Sequence, residues 1–401
     1  MESTGLLQWS KLDLAEQQER RKALTVADEI MPTEGIGARH YSLEWKAGHV
    51  GDWQSVHAYV LREGNTAIGF VPFLRRERPL KLTFGEFTIA APRLARFWMT
   101  GDLHFAPSVP PERSIEFASM FLDAVVPNLG RHEALFFEGL PEQGHLHAAL
   151  RQDRARNEAY TVLQLGDTYE HQFIKFPPSL DEYMLQLGSR SRQSLRNSTR
   201  RLEKEMDGAV RVECFEQPES VSRFAADASA ISRKTYQWNL LDLGFRDSEG
   251  LRTRLRWVSE HGWFRSYIMY CRDVPVAFMW GHQFGDCYYI DDGGYDPDYA
   301  KLSVGSVLQL KLIEHLFAGT KRPRFLDFST GFGTHKGRFG NFSRRELNVL
   351  ILPATLRNRL LKLGYVGTDS LSKGTVRLID RIGLKAKIKR LIRRSSAQPA
   401  D

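Results

Sequence analysis

The sequence predicts a doubled α/β fold with mixed (α+β) sheets, followed by a basic helical tail. Two runs of similar layout predict the doubling, and the distribution of charge sets off the tail. The first run, "WQSVHAYVLREGNTAIGFVPFLRR" (53–76), reads as strand, turn and strand around Gly64-Asn65, a strong hairpin signal. The second, "WFRSYIMYCRDVPVAFMWGHQFGDCYYIDDGGY" (263–295), repeats that plan. Its strands fall at 266–271, 275–284 and 286–294, with turns at Arg272-Asp273 and Gly285-Asp286. Each run leads into helical sequence, "SIEFASMFLDAVVPNL" (114–129) or "GSVLQLKLIEHLF" (305–317), and then into a short strand, 133–140 or 324–330. The halves share element order and not residue identity. With 401 residues, two lobes are the expectation: 1–170 and 171–355, with a tail over 356–401.

Charge marks the third segment. The net charge is +8, yet residues 356–394 alone hold 12 Lys/Arg against two Asp. The body is therefore neutral, which weakens any nucleic-acid reading drawn from overall charge. Within the tail, Leu384, Ile388, Leu391 and Ile392 fall on one helical face against a basic one. That pattern suits an interfacial helix on an anionic membrane through residues 376–394, or a C-terminal helix packed on the body. A second basic run opens the second half. Residues 190–206 read as a helix stopped by Asp207-Gly208, carrying Arg190, Arg192, Arg196, Arg200, Arg201 and Lys204. Such a run is either a solvated face or a phosphate-facing wall.

Several chemistries are excluded. Cys214, Cys271 and Cys287 form no CxxC pair, which points to a reducing compartment and away from disulfides. The polar amino terminus is no signal peptide, and no apolar run approaches the ~18–20 residues of a membrane span. The expected location is cytoplasmic, with peripheral attachment at the inner membrane face left open. There is no HExxH, GxSxG, GxxxxGK[ST] or post-strand GxGxxG motif, so no metal site is expected.

One junction keeps its interest. "YDPDYAKLSVGSVLQL" follows a strand and opens a helix, where free N–H groups and the helix dipole gather at one point. Ser303 and Ser306 can cap, and Gly305 lets a ligand approach the backbone. The junction is thus either a capped helix or an anion site suited to a pyrophosphate.

The ordered set Pro275-Val276-Ala277, Gly285-Asp286, Tyr295-Asp296-Pro297, Ser303-Val304-Gly305, Asp327-Phe328, Gly331 and Lys336 resembles the CelD-type acetyltransferases of cellulose biosynthesis. These are GNAT-fold proteins related to the Fem-type aminoacyltransferases. The resemblance covers about 180–345 and departs in two places: Ser-Val-Gly replaces a common Ser-Pro-Gly, and His335 precedes Lys336 where Tyr is usual. It implies tandem GNAT-like lobes and transfer of an acyl group from acetyl-CoA or another acyl-CoA to an amine of a small molecule or amino sugar, in exopolysaccharide or envelope synthesis.

On that resemblance, the backbone of Leu302, Ser303, Val304, Gly305 and Ser306 would grip the CoA pyrophosphate, with Lys336 and Arg338 assisting. Ile290 and its neighbours on "YYIDDGGY" would hold the pantetheine arm. The attacking amine must be neutral, so a base is needed. Strand alternation places Asp291 on one face with Tyr289 and Asp292 on the other with Ile290. Asp292 is the favoured base, with Asp327 and His335 as further catalytic candidates. Two alternatives stand: a Fem-type transferase using aminoacyl-tRNA, and a non-catalytic protein tethered to a membrane by its tail.

Overall fold

Turn chemistry builds the hairpins where the sequence places them. Gly64 sits at φ 62°, and Arg272 and Asp273 both take left-handed φ, 48° and 65°. Two successive left-handed residues give the turn whose twist matches that of the strands it joins.

The computed structural model describes residues 7–32, 34–85, 87–152, 159–235, 244–329 and 336–381, apart from the side chains of 49, 336 and 373–381. The chain opens with β1 (Leu7–Leu12), α1 (Gln17–Ile30), α2 (Leu43–Val50), β2 (Val56–Glu63) and β3 (Thr66–Pro79). Next come β4 (Leu82–Phe84), β5 (Phe87–Ala90), β6 (Arg93–Thr100), β7 (His104–Phe105), α3 (Pro111–Val125), β8 (Glu133–Pro141) and α4 (His145–Gln152). The long β9 (Tyr160–Lys175) leads to α5 (Leu180–Gln186), α6 (Ser189–Glu205), β10 (Val210–Phe215), α7 (Val221–Ser232) and α8 (Glu249–Glu260). The second sheet run is β11 (Ser266–Cys271), β12 (Val274–Phe284) and β13 (Cys287–Tyr295). It is followed by α9 (Val304–Ala318), β14 (Phe325–Asp327), α10 (Lys336–Phe339), β15 (Phe342–Pro353) and α11 (Leu356–Arg381).

One mixed sheet runs through both halves in the order β1-β2-β3-β6-β8-β15-β9-β14-β13-β12-β11-β10, with β7 on β3. In each half four antiparallel strands are followed by a helix and a strand parallel to the fourth: β6 with β8, β13 with β14. The last strands are exchanged. β9 follows the first half in sequence but pairs with β14, whereas β15 follows the second half and pairs with β8. The two exchanged strands then pair with each other along Tyr160–Phe173 and Phe342–Pro353.

Each half has its own core. Helix α3 buries Phe117, Phe121, Leu122 and Val125 on one sheet face; α9 buries Val307, Leu308, Leu312 and Leu316 on another. Fully burying such side chains contributes about 1.5–3 kcal/mol each. The basic run behaves as a solvated face. Helix α6 packs through Leu195 and Leu202, while Arg190, Arg196, Arg200, Arg201 and Lys204 are exposed. Arg192 instead donates to the carbonyls of Leu185 and Leu187, closing the end of α5.

Candidate active site

Strand β13 pairs with β14 over only three residues, Cys287–Tyr289 against Phe325–Asp327. Beyond them the strands diverge, and the hydroxyl of Ser329 spans the opening by donating to the Ile290 carbonyl at 2.7 Å. The cleft below, about 660 Å³, is lined by Ile290, Asp292, Gly293, Gly294, Gly305 and Ser306 among others. Glycine suits this wall, since a side chain there would fill the space.

The cleft ends at the start of α9. Ser303, left-handed at φ 56°, is its first flanking residue, and its carbonyl takes the N–H groups of Ser306 and Val307. The expected side-chain cap is not made: the Ser303 hydroxyl bonds no helix N–H. The amides of Val304 and Gly305 thus precede the first helical hydrogen bonds and remain free for a ligand. Arg338 on α10 donates to the Ser306 hydroxyl at 3.4 Å, and its other terminal nitrogen is buried with no hydrogen-bond partner among the described residues. Free amides, a helix dipole and a spare guanidinium N–H suit this end of the cleft to an anion.

At its other end the cleft meets a β-bulge. The β12–β13 register runs Trp280↔Asp292 and then Gly281↔Ile290, so Asp291 is the extra residue with no partner. A bulge re-aims side chains, and the strict alternation expected from the sequence fails here. Asp291 accepts from His282 Nδ1 at 2.9 Å, and Asp292 pairs across from Trp280, so both aspartates share one face. Gly281 permits the bulge: an added Cβ would lie 2.3 Å from the Tyr288 hydroxyl.

The two aspartates have opposite electrostatics. Burial would raise the Asp291 carboxyl, but Arg39 (2.8 Å) and His282 hold it far below the usual carboxylate range. Arg39 Nη1 also lies 2.7 Å from His282 Nε2. The imidazole, kept neutral by burial, must therefore carry its proton on Nδ1 toward Asp291 and accept on Nε2. Among the described residues Asp292 has no cationic partner. Burial pushes its pKa up to about 6, the charge of Asp291 adds to that, and the N–H of Gly293 only partly opposes it. A carboxylate that titrates near neutrality is suited to take a proton from an amine.

Asp327 is differently engaged. It is buried, 2.8 Å from His171 Nε2, and His171 Nδ1 lies 2.9 Å from Glu346. Burial alone would lower the imidazole pKa, but the bonds and charges of Asp327 and then Glu346 push it up to about 9. Burial would raise the Asp327 carboxyl, and His171 holds it low. His171 is thus a charged bridge from β9 to β14 and β15. His335 lies outside the described residues, and so does the side chain of Lys336, whose backbone begins α10.

Sequence reasoning missed Arg39, His171 and His282. Arg39 comes from the first half, on a segment whose Gly35 N–H donates to Asp286 and whose Gly37 N–H donates to the Tyr289 hydroxyl at 3.2 Å. Its guanidinium lies 3.9 Å from the Tyr289 ring centre. No local motif announces it; only the unpaired charge of Asp291 hints that a cation must arrive from elsewhere.

Further cavities open between the halves on the aspartates' face. A large cleft of about 1060 Å³ is lined by Trp53, Arg254, Trp257, Trp280 and Asp292. A smaller one of about 370 Å³ shares Arg254, Trp257 and Trp280 with it and adds Trp45, Trp98 and Asp291. Asp292 lines both the large cleft and the β13–β14 cleft.

Residues 189–336 match the family model of the acetyltransferase (GNAT) domain. The second half carries a GNAT-type acyltransferase domain. FemX has a similar structure, 10% identical over 88% of this chain and 99% of that one, with a TM-score of 0.53, which shows a shared fold. Also similar are a tandem GNAT protein from the clavulanic acid biosynthesis pathway and L-PGS from Bacillus licheniformis. The former is 12% identical over 87% of this chain and 99% of that one (TM-score 0.49). The latter is 13% identical over 88% and 98% (TM-score 0.46). No curated protein matches the sequence. The doubled α/β architecture is a tandem of GNAT-like lobes joined edge to edge. Among the described residues no cluster could hold a metal ion, and no helix is long and apolar enough to cross a membrane.

Proposed function

We propose that the second lobe transfers an acyl group, acetyl in the simplest case, from CoA to a small-molecule amine such as an amino sugar. The observation that carries this reading is the position of Asp292, which lines both the cleft suited to the donor and the cleft suited to the acceptor. The amides of Val304 and Gly305 with Arg338 would receive the pyrophosphate. The open edge of β13 from Ile290 onward would hydrogen-bond the pantetheine arm and place an N–H against the developing oxyanion. The amine nitrogen attacks the thioester carbon and its proton passes to Asp292. The C–S bond breaks, and the sulfur leaves as the CoA thiolate. Arg39 and His282 keep Asp291 ionised, and its charge helps to hold the Asp292 pKa near the working range. The tryptophan faces around the acceptor cleft suit the C–H faces of a sugar. A CelD-type role in exopolysaccharide or envelope synthesis fits this chemistry and stands on the sequence resemblance.

A thermal-shift panel of acetyl-CoA, longer acyl-CoAs and tRNA tests the donor. A specific donor at a hundredfold excess over Kd should stabilise the chain by about 2.7 kcal/mol. Absence of a shift with every CoA ester would sink the proposal. Transfer from aminoacyl-tRNA is the second reading, favoured by the likeness to FemX and by the exposed arginines of α6. A salt-sensitive shift with tRNA alone would select it.

A further inference from the structure

Helix α11 presents its apolar residues to solvent. Leu356, Leu360, Leu363, Val366 and Leu371 recur at helical spacing, and their exposure runs from 46% to 76%. The opposite side of the helix packs on the small β4–β5 hairpin. Gly364 lies against Leu82, and the Gly85 N–H donates to the Ser372 hydroxyl at 3.1 Å. That hairpin is itself apolar and exposed, with Phe84 at 40%, Phe87 at 78% and Ile89 at 64%. Helix stripe and hairpin are thus two exposed apolar sets on elements packed against each other. Scattered exposed leucines need no explanation, but eight large apolar side chains exposed on two elements packed together do.

Charge selects the occupant. The helix carries exposed Arg359 and Lys362 beside the stripe, and residues 356–394 hold 12 Lys/Arg against two Asp. A second copy of the chain would bring an equally basic segment against this one, and the two would repel. An anionic bilayer attracts both features, the cations to its headgroups and the leucines and phenylalanines to the acyl boundary. We infer that α11 and the β4–β5 hairpin form a docking face for an anionic lipid surface, on which the protein lies without spanning it. The inference is independent of the acyl-transfer chemistry. It enlarges the tail-only contact expected from the sequence into a two-element face within the folded body.

Co-sedimentation of the full chain with phosphatidylcholine vesicles, with or without phosphatidylglycerol, tests it. The chain should pellet with the anionic vesicles only, and raising salt should release it. Leu360→Gln with Leu363→Gln, and separately Phe87→Ser with Ile89→Ser, should each weaken partitioning by about tenfold or more. Arg359→Gln and Lys362→Gln should cost about fivefold each. All six positions are exposed or flank the stripe, and unchanged thermal melting confirms that the variants fold. A chain that stays in the supernatant with anionic vesicles overturns the inference, as does wild-type partitioning by both apolar double variants. A wild-type dimer that the stripe variants convert to monomers, with vesicle binding unaltered, would assign the face to self-association instead.

Discussion

The two lobes share an element order and differ at the two places where a CoA ester would be held. In the first lobe the parallel pair β6–β8 runs unbroken over six residue pairs, Ala95–Thr100 against Glu133–Glu138, and Gly101 extends it by donating to the Glu138 carbonyl. In the second, β13–β14 stops after three. The helix that follows begins with Pro110 and Pro111 in the first lobe, which have no N–H to offer, and Glu112 adds a negative charge to the first turn. In the second it begins with Val304 and Gly305, whose amides are free, next to Arg338. A zipped strand pair and a proline helix start leave a CoA ester no open strand edge and fewer helix amides to meet. The first lobe instead supplies Arg39 and much of the wall of the large cleft that the proposed function gives to the acceptor. Under the proposed function, the second half would carry the reaction and the first would support it.

The comparison breaks first at Asp292. Asp292→Asn should lower kcat by about 10²–10⁴ with little change in acyl-CoA binding, read by thiol release and calorimetry; near-normal turnover would move the base elsewhere. Wild-type turnover should rise as pH passes about 6, because only ionised Asp292 accepts a proton. The stability sign is opposite. Its folded pKa lies above the usual carboxylate value, so ionisation weakens the fold as pH climbs from about 4 to 6. The Asn variant should therefore melt no lower than wild type at pH 7.

His171→Ala should cost about 3–5 kcal/mol of unfolding free energy at pH 6, since it removes the cation bonded to buried Asp327 and leaves Glu346 with Arg344 alone. The raised imidazole pKa contributes stability fully below about 6.5 and loses it as pH rises through about 9. The variant's deficit should accordingly shrink in chemical denaturation above pH 9. A smaller effect awaits Gly305→Ala, whose methyl would lie 3.1 Å from the Tyr295 ring. About 1 kcal/mol of crowding corresponds to about a fivefold rise in KM for the acyl-CoA at unchanged kcat. The smallest change is none at all. Pro110→Ser with Pro111→Gly opens the first-lobe helix start but leaves β6–β8 zipped, so calorimetry should still count one CoA per chain. A count of two would erase the distinction between the lobes.

Local chemistry was legible in the sequence. The turns at Gly64 and Arg272-Asp273, the Asp207-Gly208 stop of α6 and the strand-to-helix junction at Ser303 each follow from residues adjacent in the chain. What stayed hidden depends on register or on distance. The bulge at Asp291 cannot be seen in a pattern of alternation, because alternation assumes that no residue is skipped. Arg39 reaches Asp291 across 252 positions, and His171 reaches Glu346 across 175, so neither leaves a local trace. The Ser303 cap was a sound expectation from residue type, but the left-handed backbone there puts the carbonyl in service and leaves the hydroxyl out.

The exchange of β9 and β15 also sets a timetable for synthesis. The first lobe's sheet has no strand beside β8 until residues 342–353 have been made. A ribosome that has translated as far as residue 341 therefore still holds a nascent chain with one open edge on β8, next to the apolar Phe136 and Phe137. Folding cannot finish lobe by lobe in order of emergence. It closes only after β15 clears the exit tunnel, and a polysome stalled short of that point displays a strand ready to pair with its neighbour's.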